Sequence, residues 1–288
     1  MSLREKVNRP IACIHIDCDG LFCINRNCFR DRKVAYDCIF FSSIPRVIRL
    51  LDKYQVKATF FVVAQDLENK HKLDLLIKVV NKGHRVASHS YSHVDLNNEG
   101  VNLKQEIIYS KDALERNLGV PVMGFRAPGY SINKSALTLL EDNGYQYDSS
   151  VFPKRSFSRK IDFNISKYPF RVGPNKKLIE LPLPGSLPFL LPWHPSYSIL
   201  LGKWYFDINF LTKGIKANPC VLLFHLIDFS DPLPNDLIFG MMDRILSGSL
   251  VTINRKIMLS EYIIKKTMKH FDIKLTETMV INLVSSTI

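Results

Sequence analysis

The stretch between residues 56 and 89 contains three segments that together predict the fold: VKATFFVVA (56–64), KLDLLIKVVNKG (72–83) and HRVASH (84–89). The first and third are short and apolar, which is typical of buried strands. The middle segment is typical of a helix that ends at Gly83, because glycine commonly follows the last helical turn. A strand, a helix and a second strand in this order predict a βαβ unit with parallel strands.

The same alternation continues on both sides of this unit. An earlier strand, IACIHI (11–16), is followed by a helix that we expect to open at Ser42-Ser43-Ile44-Pro45, with serine as its cap and proline in its first turn. The alternation predicts an α/β fold with a mainly parallel sheet or barrel. The remaining predicted elements are strands over 122–127 and 220–227 and helices over 103–119, 131–144 (capped by Ser131) and 207–218.

Polar residues follow the predicted strands at four points: DCDG (17–20), SHSYSH (88–93), FRAPGY (125–130) and His225. The carboxyl ends of parallel strands lie at one edge of a sheet or barrel, and ligands bind there in α/β folds. We therefore expect these four groups to meet in one site.

His89 and His93 are candidate metal ligands. Four residues make just over one helical turn, so in a helix both imidazoles would project from the same face and could hold one ion. Asp17 or Asp19 could add a carboxylate and leave one coordination position open for water, while the other aspartate acts as general base. The alternative is a solvated turn with two idle histidines, because pairs at this spacing also arise by accident.

Two further residues complete a set of groups for amide hydrolysis. Arg126 beside a carboxylate would orient it, and His225 could protonate the departing amine. Each has a structural alternative: Arg126 could form a surface ion pair, His225 could be a core histidine, and Tyr130 could be a packing aromatic. Their occurrence at successive strand ends favours the catalytic interpretation.

The order of these motifs resembles that of the NodB-homology polysaccharide deacetylases, the family-4 carbohydrate esterases. The resemblance covers about residues 11–228 and rests on HIDCDGL, SHSYSH, FRAPGY and LLFHLID. It implies a distorted (β/α)7 barrel of mainly parallel strands. It also implies metal-dependent hydrolysis of an N-acyl group, such as acetyl, from an amino sugar.

The resemblance also implies roles for individual residues. Asp17 corresponds to the base and Asp19 to a metal ligand, with the reverse assignment left open, and Arg126 pairs with the base. The implied cofactor is Zn²⁺ or another divalent transition metal such as Co²⁺, Ni²⁺ or Mn²⁺. The remaining implied roles are those of His89 and His93 as metal ligands and of His225 as general acid.

Three departures from the family pattern concern the same site. Cys18 separates two aspartates that are usually adjacent, as in an Asp-x-Asp subgroup. The third motif is usually Arg-Pro-Pro-Tyr and is irregular here, so Gly129 or Tyr130 is expected to supply the oxyanion-binding N–H. The fourth motif, Asp-x-x-Trp, is not visible, and Asp148 or Asp228 could instead tune the general acid.

We expect a barrel over residues 1–247 and a helical extension over 248–288. Within the barrel, the segment at about 152–205 is rich in proline and aromatic residues and is long for a connection, so we interpret it as a wall or lid of the active site. The extension contains the basic amphipathic stretch SEYIIKKTMKHF (260–271), which could pack on the barrel, touch a membrane surface or mediate self-association.

Composition narrows the class of protein. Of the 288 residues, 46% are apolar and 23% are charged, as in globular proteins, and no apolar run approaches the roughly 20 residues of a bilayer span. The six cysteines include no Cys-x-x-Cys pair, and the sequence begins with no recognisable secretory signal. Reduced thiols and a cytoplasmic location are therefore expected.

The net charge of +12 fits an anionic partner: nucleic acid, a phosphorylated sugar carrier or the inner membrane face. Because no nucleic-acid motif is present and the basic residues form no dense run, we predict no nucleic-acid partner. The predicted partner is an N-acylated sugar, which could be phosphate-linked, and peripheral contact with the inner membrane face agrees with the charge. The oligomeric state is left open.

Three functions follow from these observations. The first is an N-deacetylase that acts on an amino sugar in a polysaccharide or in its cytoplasmic lipid-linked or nucleotide-linked precursor. The second is an amidohydrolase of a cyclic imide or ureide on the same fold, and the third is a non-catalytic carbohydrate-binding relative. The intact histidines at 89 and 93 and the arginine at 126 favour the first.

Overall fold

The strands of the computed structural model form one sheet of nine members, counted over the residues that it describes. The described residues are 9–24, 36–152, 166–185, 193–212, 214–217, 219–233, 248 and 250–285. The strands are β1 (Ile11–Asp17), β2 (Thr59–Val62), β3 (Arg85–Ser88), β4 (Gly124–Phe125), β5 (Tyr147–Asp148), β6 (Phe170–Val172), β7 (Leu178–Glu180), β8 (Cys220–His225) and β9 (Asp272–Ile273).

The sheet is almost entirely parallel. Its order is β6-β7-β5-β4-β3-β2-β1-β8, β9 also pairs with β1, and only the β6–β7 pair is antiparallel. This curled, mainly parallel sheet with helices confirms the predicted distorted (β/α) barrel. The helices are α1 (Leu21–Ile24), α2 (Cys38–Lys53), α3 (Lys70–Asn81), α4 (Ser110–Leu118), α5 (Lys134–Asp142), α6 (Pro195–Leu201), α7 (Lys203–Thr212), α8 (Ile253–His270) and α9 (Thr276–Ser285).

The two faces of β1 have different surroundings. Ala12, Ile14 and Ile16 belong to the large apolar core that includes buried residues of α2, α3 and α5. The alternate residues of β1 point to the other side of the sheet, since side chains along a strand alternate between faces. There Cys13 belongs to a smaller cluster, whose other buried members are Phe61, Ala87, Tyr147, Ile179, Leu181, Met279 and Val280. The site residues lie on this second face.

The helix that we expected to open at Ser42, α2, begins earlier than predicted. Asp37 caps α2, because its Oδ1 accepts the Phe40 N–H at 3.0 Å. Ile39 and Phe40 are fully buried, so burial of the apolar face extends the helix upstream of the serines. Pro45 therefore lies inside the helix and not in its first turn.

Two other predicted helices also differ at their ends. Asn133, and not Ser131, caps α5 by accepting the Ala136 N–H at 2.9 Å. The helix predicted over 207–218 is α7, which starts at Lys203 and gives way to a short 3₁₀ turn at Gly214–Lys216.

The described parts of the 152–205 segment contribute strands and a helix to the fold. β6 and β7 form one end of the sheet, and α6 contacts α7, α8 and β8. The parts at 153–165 and 186–192 lie outside the described residues, so a wall or lid over the whole segment stays a prediction.

The C-terminal residues pack on the remainder of the chain. α8 buries Leu259, Ile263 and Ile264. Met279 and Val280 of α9 pack with Cys13 on the second face of the sheet. The division into a barrel over 1–247 and an extension over 248–288 stays a prediction.

Two expectations from composition can be compared with the described residues. No helix among them is both long enough and apolar enough to cross a bilayer. Cys13, Cys18, Cys23, Cys38 and Cys220 are free thiols, whereas Cys28 lies outside the described part of the chain.

Candidate functional site

Asp17 and His225 are neighbours at the ends of adjacent strands. The parallel register of β1 and β8 places Asp17 opposite His225, and each is the last residue of its strand. Asp17 is only 1% exposed, and its Oδ2 lies 3.8 Å from His225 Nε2. A carboxylate and an imidazole predicted at two strand ends therefore share one rim of the sheet.

His89 and His93 lie on a loop that directly follows β3, so helical geometry does not bring them together. Ser90 and His93 have left-handed backbones, with φ of 63° and 59°. Glu106 holds the loop by accepting two of its backbone N–H groups at 3.0 and 2.9 Å, and such bonds compete with helical ones. The loop nevertheless brings the two imidazole centres within 4.9 Å of each other.

Asp19 meets both histidines. Its Oδ1 lies 3.3 Å from His89 Nε2 and 3.1 Å from His93 Nε2, and one ligand atom from each residue falls within 4.8 Å of the others. Ligand atoms about 2.1 Å from a tetrahedral ion are about 3.4 Å apart, so this spacing suits one ion. Asp19 Oδ1 is also buried without hydrogen-bond geometry to any described donor, which a cation would compensate. Two imidazoles and a carboxylate therefore fit a divalent transition metal.

The far side of the His89 ring is fixed by the backbone. His89 Nδ1 lies 2.8 Å from the Arg126 carbonyl oxygen, and because a carbonyl only accepts, we assign the proton to Nδ1. Nε2 then presents a lone pair toward Asp19, which is the form that a metal ligand needs. Burial would raise the pKa of Asp19, but the adjacent His93 and His89 hold it well below its ordinary value.

Arg126 is fully buried and binds Asp17. Its Nη1 donates to Asp17 Oδ1 at 2.6 Å, and its Nε donates to the Ser149 carbonyl at 2.8 Å. Its Nη2 donates to His15 Nδ1 at 2.7 Å, and the guanidinium carbon lies 4.0 Å from the centre of the Phe61 ring. These contacts fix the fork of the guanidinium and, through it, the orientation of the Asp17 carboxylate.

His15 extends this network to the C-terminal residues, and the sequence analysis did not identify it as a site residue. Burial and the Arg126 guanidinium lower the pKa of His15 well below its ordinary value, so the ring is neutral. Because Nδ1 accepts from Arg126, Nε2 carries the hydrogen and donates to Thr276 Oγ1 at 2.8 Å. Thr276 is the first residue of α9. The sequence pattern that could have identified His15 is the alternation of side chains along β1, which puts His15 on the same face as Asp17.

Ser196 links His225 to Asp228. Its hydroxyl donates to Asp228 Oδ2 at 2.6 Å and lies 3.0 Å from His225 Nδ1. Because that hydroxyl proton is already used, we assign the ring hydrogen to Nδ1, which leaves Nε2 facing Asp17. Asp228 Oδ2 also accepts the His225 backbone N–H at 2.8 Å, and burial raises the pKa of Asp228. The predicted link between Asp228 and His225 therefore includes a serine that lies 29 residues before the histidine.

The turn Pro128–Tyr130 contains both predicted oxyanion donors. Gly129 and Tyr130 each have φ of 59°, and the Tyr130 N–H donates to the Ala127 carbonyl at 3.0 Å. The Tyr130 N–H is thus already bonded within the turn. The backbone N–H of Gly129 is the remaining candidate for the oxyanion donor, and this role stays a prediction. The Tyr130 hydroxyl lies 3.5 Å from His225 Nε2, and burial raises its pKa well above the ordinary value, so the phenol is neutral.

Asp148 lies beside Ser150 and Glu180, with no contact to His225 among the described interactions. The Ser150 hydroxyl donates to Asp148 Oδ1 at 2.6 Å and accepts the Ala127 N–H at 2.8 Å. Burial raises the pKa of both carboxyls, and the Asp148 charge raises that of Glu180 further. This pair therefore supports the backbone next to Arg126, while Asp228 is the acidic residue linked to His225.

Comparison with known proteins gives a family match over part of the chain. The family described as Polysaccharide deacetylase matches residues 34–147. A bifunctional xylanase/deacetylase of Pseudobutyrivibrio xylanivorans is 33% identical over 95 residues, which cover 33% of this chain and 16% of that protein. The peptidoglycan deacetylase of Helicobacter pylori is 26% identical over 182 residues, which cover 61% of this chain and 58% of that protein. The chain thus spans less than two thirds of the length of these relatives.

A solved structure shows the same fold. The crystal structure of a protein from Mycobacterium smegmatis, provisionally assigned as a polysaccharide deacetylase, superposes with a TM-score of 0.65 at 19% identity, covering 99% of this chain and 94% of that one. Over residues 34–147 the chain is thus similar to the polysaccharide deacetylase family, and over nearly its whole length it shares the fold of this solved structure.

Proposed function

We propose that this protein is a metal-dependent deacetylase that hydrolyses an N-acyl group, such as acetyl, from an amino sugar. The observation that carries the proposal is the convergence of Asp19, His89 and His93 next to the Asp17–Arg126 pair. Support also comes from relatives that are named peptidoglycan deacetylase and chitin deacetylase. Neither idle histidines in a solvated turn nor a surface arginine fits this arrangement, since His89 and Arg126 are buried.

Asp19, His89 and His93 would hold the metal ion, for which we propose Zn²⁺, with Co²⁺, Ni²⁺ and Mn²⁺ as alternatives. When bound, the ion would polarise the acyl carbonyl and the attacking water. Asp17 would take the proton of that water as the new carbon–oxygen bond forms. Its Oδ1 is occupied by Arg126, so Oδ2, on the side of His225, is the oxygen that would accept the proton.

His225 would act as general acid on the other side of Asp17. As the carbon–nitrogen bond breaks, the protonated ring would give its Nε2 proton to the departing sugar nitrogen. Ser196 would keep the ring oriented by accepting from Nδ1, and Asp228 would hold Ser196 by accepting from its hydroxyl. Gly129 would donate its backbone N–H to the developing oxyanion. The net reaction adds water across the amide bond and yields a carboxylate, a free amine and a proton.

The proposed substrate is an N-acylated amino sugar in a polysaccharide or in a lipid-linked or nucleotide-linked precursor. The net charge of +12 favours a substrate that carries phosphate, because a cationic surface attracts anionic ligands. A precursor of this kind would place the protein in the cytoplasm, and that location is part of the proposal.

The test is release of acetate or formate by the purified protein, with added Zn²⁺ and after exhaustive chelation. The panel contains a chitin oligosaccharide, peptidoglycan, a nucleotide-linked N-acetylamino sugar and a cyclic imide. We expect metal-dependent release from at least one sugar. Full release after chelation would contradict the metal role, and turnover of the imide alone would replace the proposed reaction with amidohydrolysis of imides.

A further inference from the structure

α7 has apolar side chains on two opposite faces. Its inner face is buried and carries Tyr205, Phe206 and Phe210. Its outer face is open to solvent, and we call this set of side chains the apolar ridge. The ridge consists of Trp204, Ile208, Leu211 and, in the following turn, Ile215, which are 58%, 41%, 58% and 38% exposed.

The ridge is a regular stripe and not a scatter of single residues. Trp204, Ile208 and Leu211 are four and three residues apart in α7, and at about 100° per residue they fall within an arc of about 60°. This arc lies opposite the buried side of the helix. A contiguous exposed apolar stripe marks an interaction surface more often than isolated apolar residues do.

The surroundings of the ridge are basic. Lys203 and Lys216 are exposed at its two ends. Asp207 is the only acidic residue in the sequence between 186 and 217. Its carboxylate is already bonded on the inward side, since Lys266 Nζ donates to it at 2.6 Å and the Tyr262 hydroxyl at 2.7 Å. The outer side therefore presents apolar groups between cations.

We propose that the apolar ridge is a peripheral membrane-binding surface that enters the headgroup region of an anionic lipid bilayer. Trp204 fits this depth because an indole places its ring among acyl chains and its N–H among headgroups. Lys203 and Lys216 would meet the lipid phosphates, and the net charge of +12 would add long-range attraction.

Charge favours a membrane over a second copy of this chain as the partner of the apolar ridge. Two copies joined by their ridges would bring lysines of the same sign together, and each copy carries a charge of +12. A stable protein interface also needs about 800 Å² from each partner, more than one narrow helical stripe supplies. An anionic bilayer meets both the apolar and the cationic groups.

The ridge is connected to the site through α6. α7 follows α6 after a single residue, Gly202, and the start of α6 carries Ser196 to within 3.0 Å of His225. The proposal itself rests on exposed side chains alone and stands without the proposed reaction.

The two tryptophans allow a direct experiment. Trp193 is 1% exposed and Trp204 is 58% exposed, so a change in solvent exposure on vesicle binding would be reported by Trp204. We expect phosphatidylglycerol–phosphatidylcholine vesicles to shift the emission to shorter wavelength and brominated acyl chains to quench it. Trp204→Phe should remove both signals. Pure phosphatidylcholine should give a weaker response, and added salt should reduce binding.

A double variant with a matched control tests the ridge by co-sedimentation with anionic vesicles. Ile208→Ser/Leu211→Ser should weaken partitioning about tenfold or more, because two apolar side chains lose their burial in lipid. Ile77→Ser/Tyr109→Ser changes exposed apolar residues outside the ridge and should stay within about twofold of the wild type. Circular dichroism checks that both variants remain folded, and release of acetate from a water-soluble sugar reports the reaction separately.

Three outcomes would overturn the proposal. The first is wild-type protein that does not bind anionic vesicles, and the second is equal binding by the ridge and control variants. The third is a concentration-dependent dimer without vesicles in which Trp204 becomes shielded, since the ridge would then be an interface between two copies.

Discussion

The two sides of Asp17 are built in different ways. On one side, Asp19, His89 and His93 come from two short motifs, and Asp19 Oδ1 is buried without hydrogen-bond geometry. On the other side, the contacts of His225 are satisfied by hydrogen bonds through Ser196 to Asp228. A cation would compensate the first arrangement, whereas the second is hydrogen-bonded without one. Under the proposed function the first is the metal-binding side and the second is the proton-donating side.

The two sides also differ in which segments of the chain supply their residues. The metal-binding side depends on loops that directly follow β1 and β3, so its members can be found by spacing in the sequence. The proton-donating side depends on α6, which reaches His225 from a segment with no regular pattern in the sequence. Local motifs specify the first side, and tertiary packing specifies the second.

Loss of a metal ligand should have the largest effect. His89→Ala is expected to abolish metal retention and to reduce kcat/KM by about 10³-fold or more, because Lewis-acid activation is lost altogether. Elemental analysis and acetate release measure the two effects. His71→Ala, on the exposed side of α3, is the matched control and should behave as the wild type. An active, metal-loaded His89→Ala variant would place the metal elsewhere.

Replacing the residue between the two sides should separate metal binding from proton transfer. Asp17→Asn is expected to retain the metal while kcat falls about 10²- to 10⁴-fold, the usual range for loss of a general base. Steady-state kinetics and elemental analysis on the same sample make the comparison. If Asp17→Asn lost the metal instead, Asp17 would be the ligand, and the assignments of Asp17 and Asp19 would be exchanged.

The sequence predicted most of the fold and the metal-binding side, for identifiable reasons. Strand–helix alternation predicts the parallel sheet, and the positions of Asp19, His89 and His93 after their strands predict their convergence. Helical geometry is not what brings the two rings together, because they lie on a loop that Glu106 holds.

The roles of His15, Thr276 and Ser196 could not be predicted because they depend on contacts between distant segments. His15 meets Thr276 across 261 residues, and no local pattern connects them. The start of α2 was also predicted incorrectly. Ser42 and Pro45 resemble the cap and first turn of a helix more closely than Asp37 does, although Asp37 is the actual cap.

A milder change should test the proton-donating side. Ser196→Ala is expected to lower kcat about tenfold with little change in KM or metal content, since the imidazole loses its orienting acceptor. Ser196→Thr keeps the hydroxyl and should recover much of kcat. Ser198→Ala on the same helix is the control, because the Ser198 hydroxyl bonds to the His194 carbonyl. A fall in kcat shared equally by both alanine variants would indicate a purely structural effect.

An effect on stability and not on catalysis is expected at the opposite end of β3, where His84 precedes the strand that leads to His89. Burial lowers the pKa of His84 from 6.5 to about 4. Between these values the unfolded ring binds a proton that the folded ring does not, so the free energy of unfolding falls as pH drops below 6.5. Above pH 6.5 the contribution is constant.

His84→Gln should make this fall shallower, by up to about 1.4 kcal/mol per pH unit. Urea denaturation at a series of pH values between 4 and 7 measures the slope. The fall should not vanish, since burial also lowers the pKa of His15 and His194. An unchanged slope would mean that His84 is already protonated in the folded protein.

Anomalous diffraction from crystals grown with Zn²⁺, collected on both sides of the zinc absorption edge, tests the central claim most directly. We predict one strong peak in this site, about 2.0–2.2 Å from Asp19, His89 Nε2 and His93 Nε2, with Asp17 still bound to Arg126. A peak held by other residues, or no peak in crystals whose protein binds zinc in solution, would contradict the account.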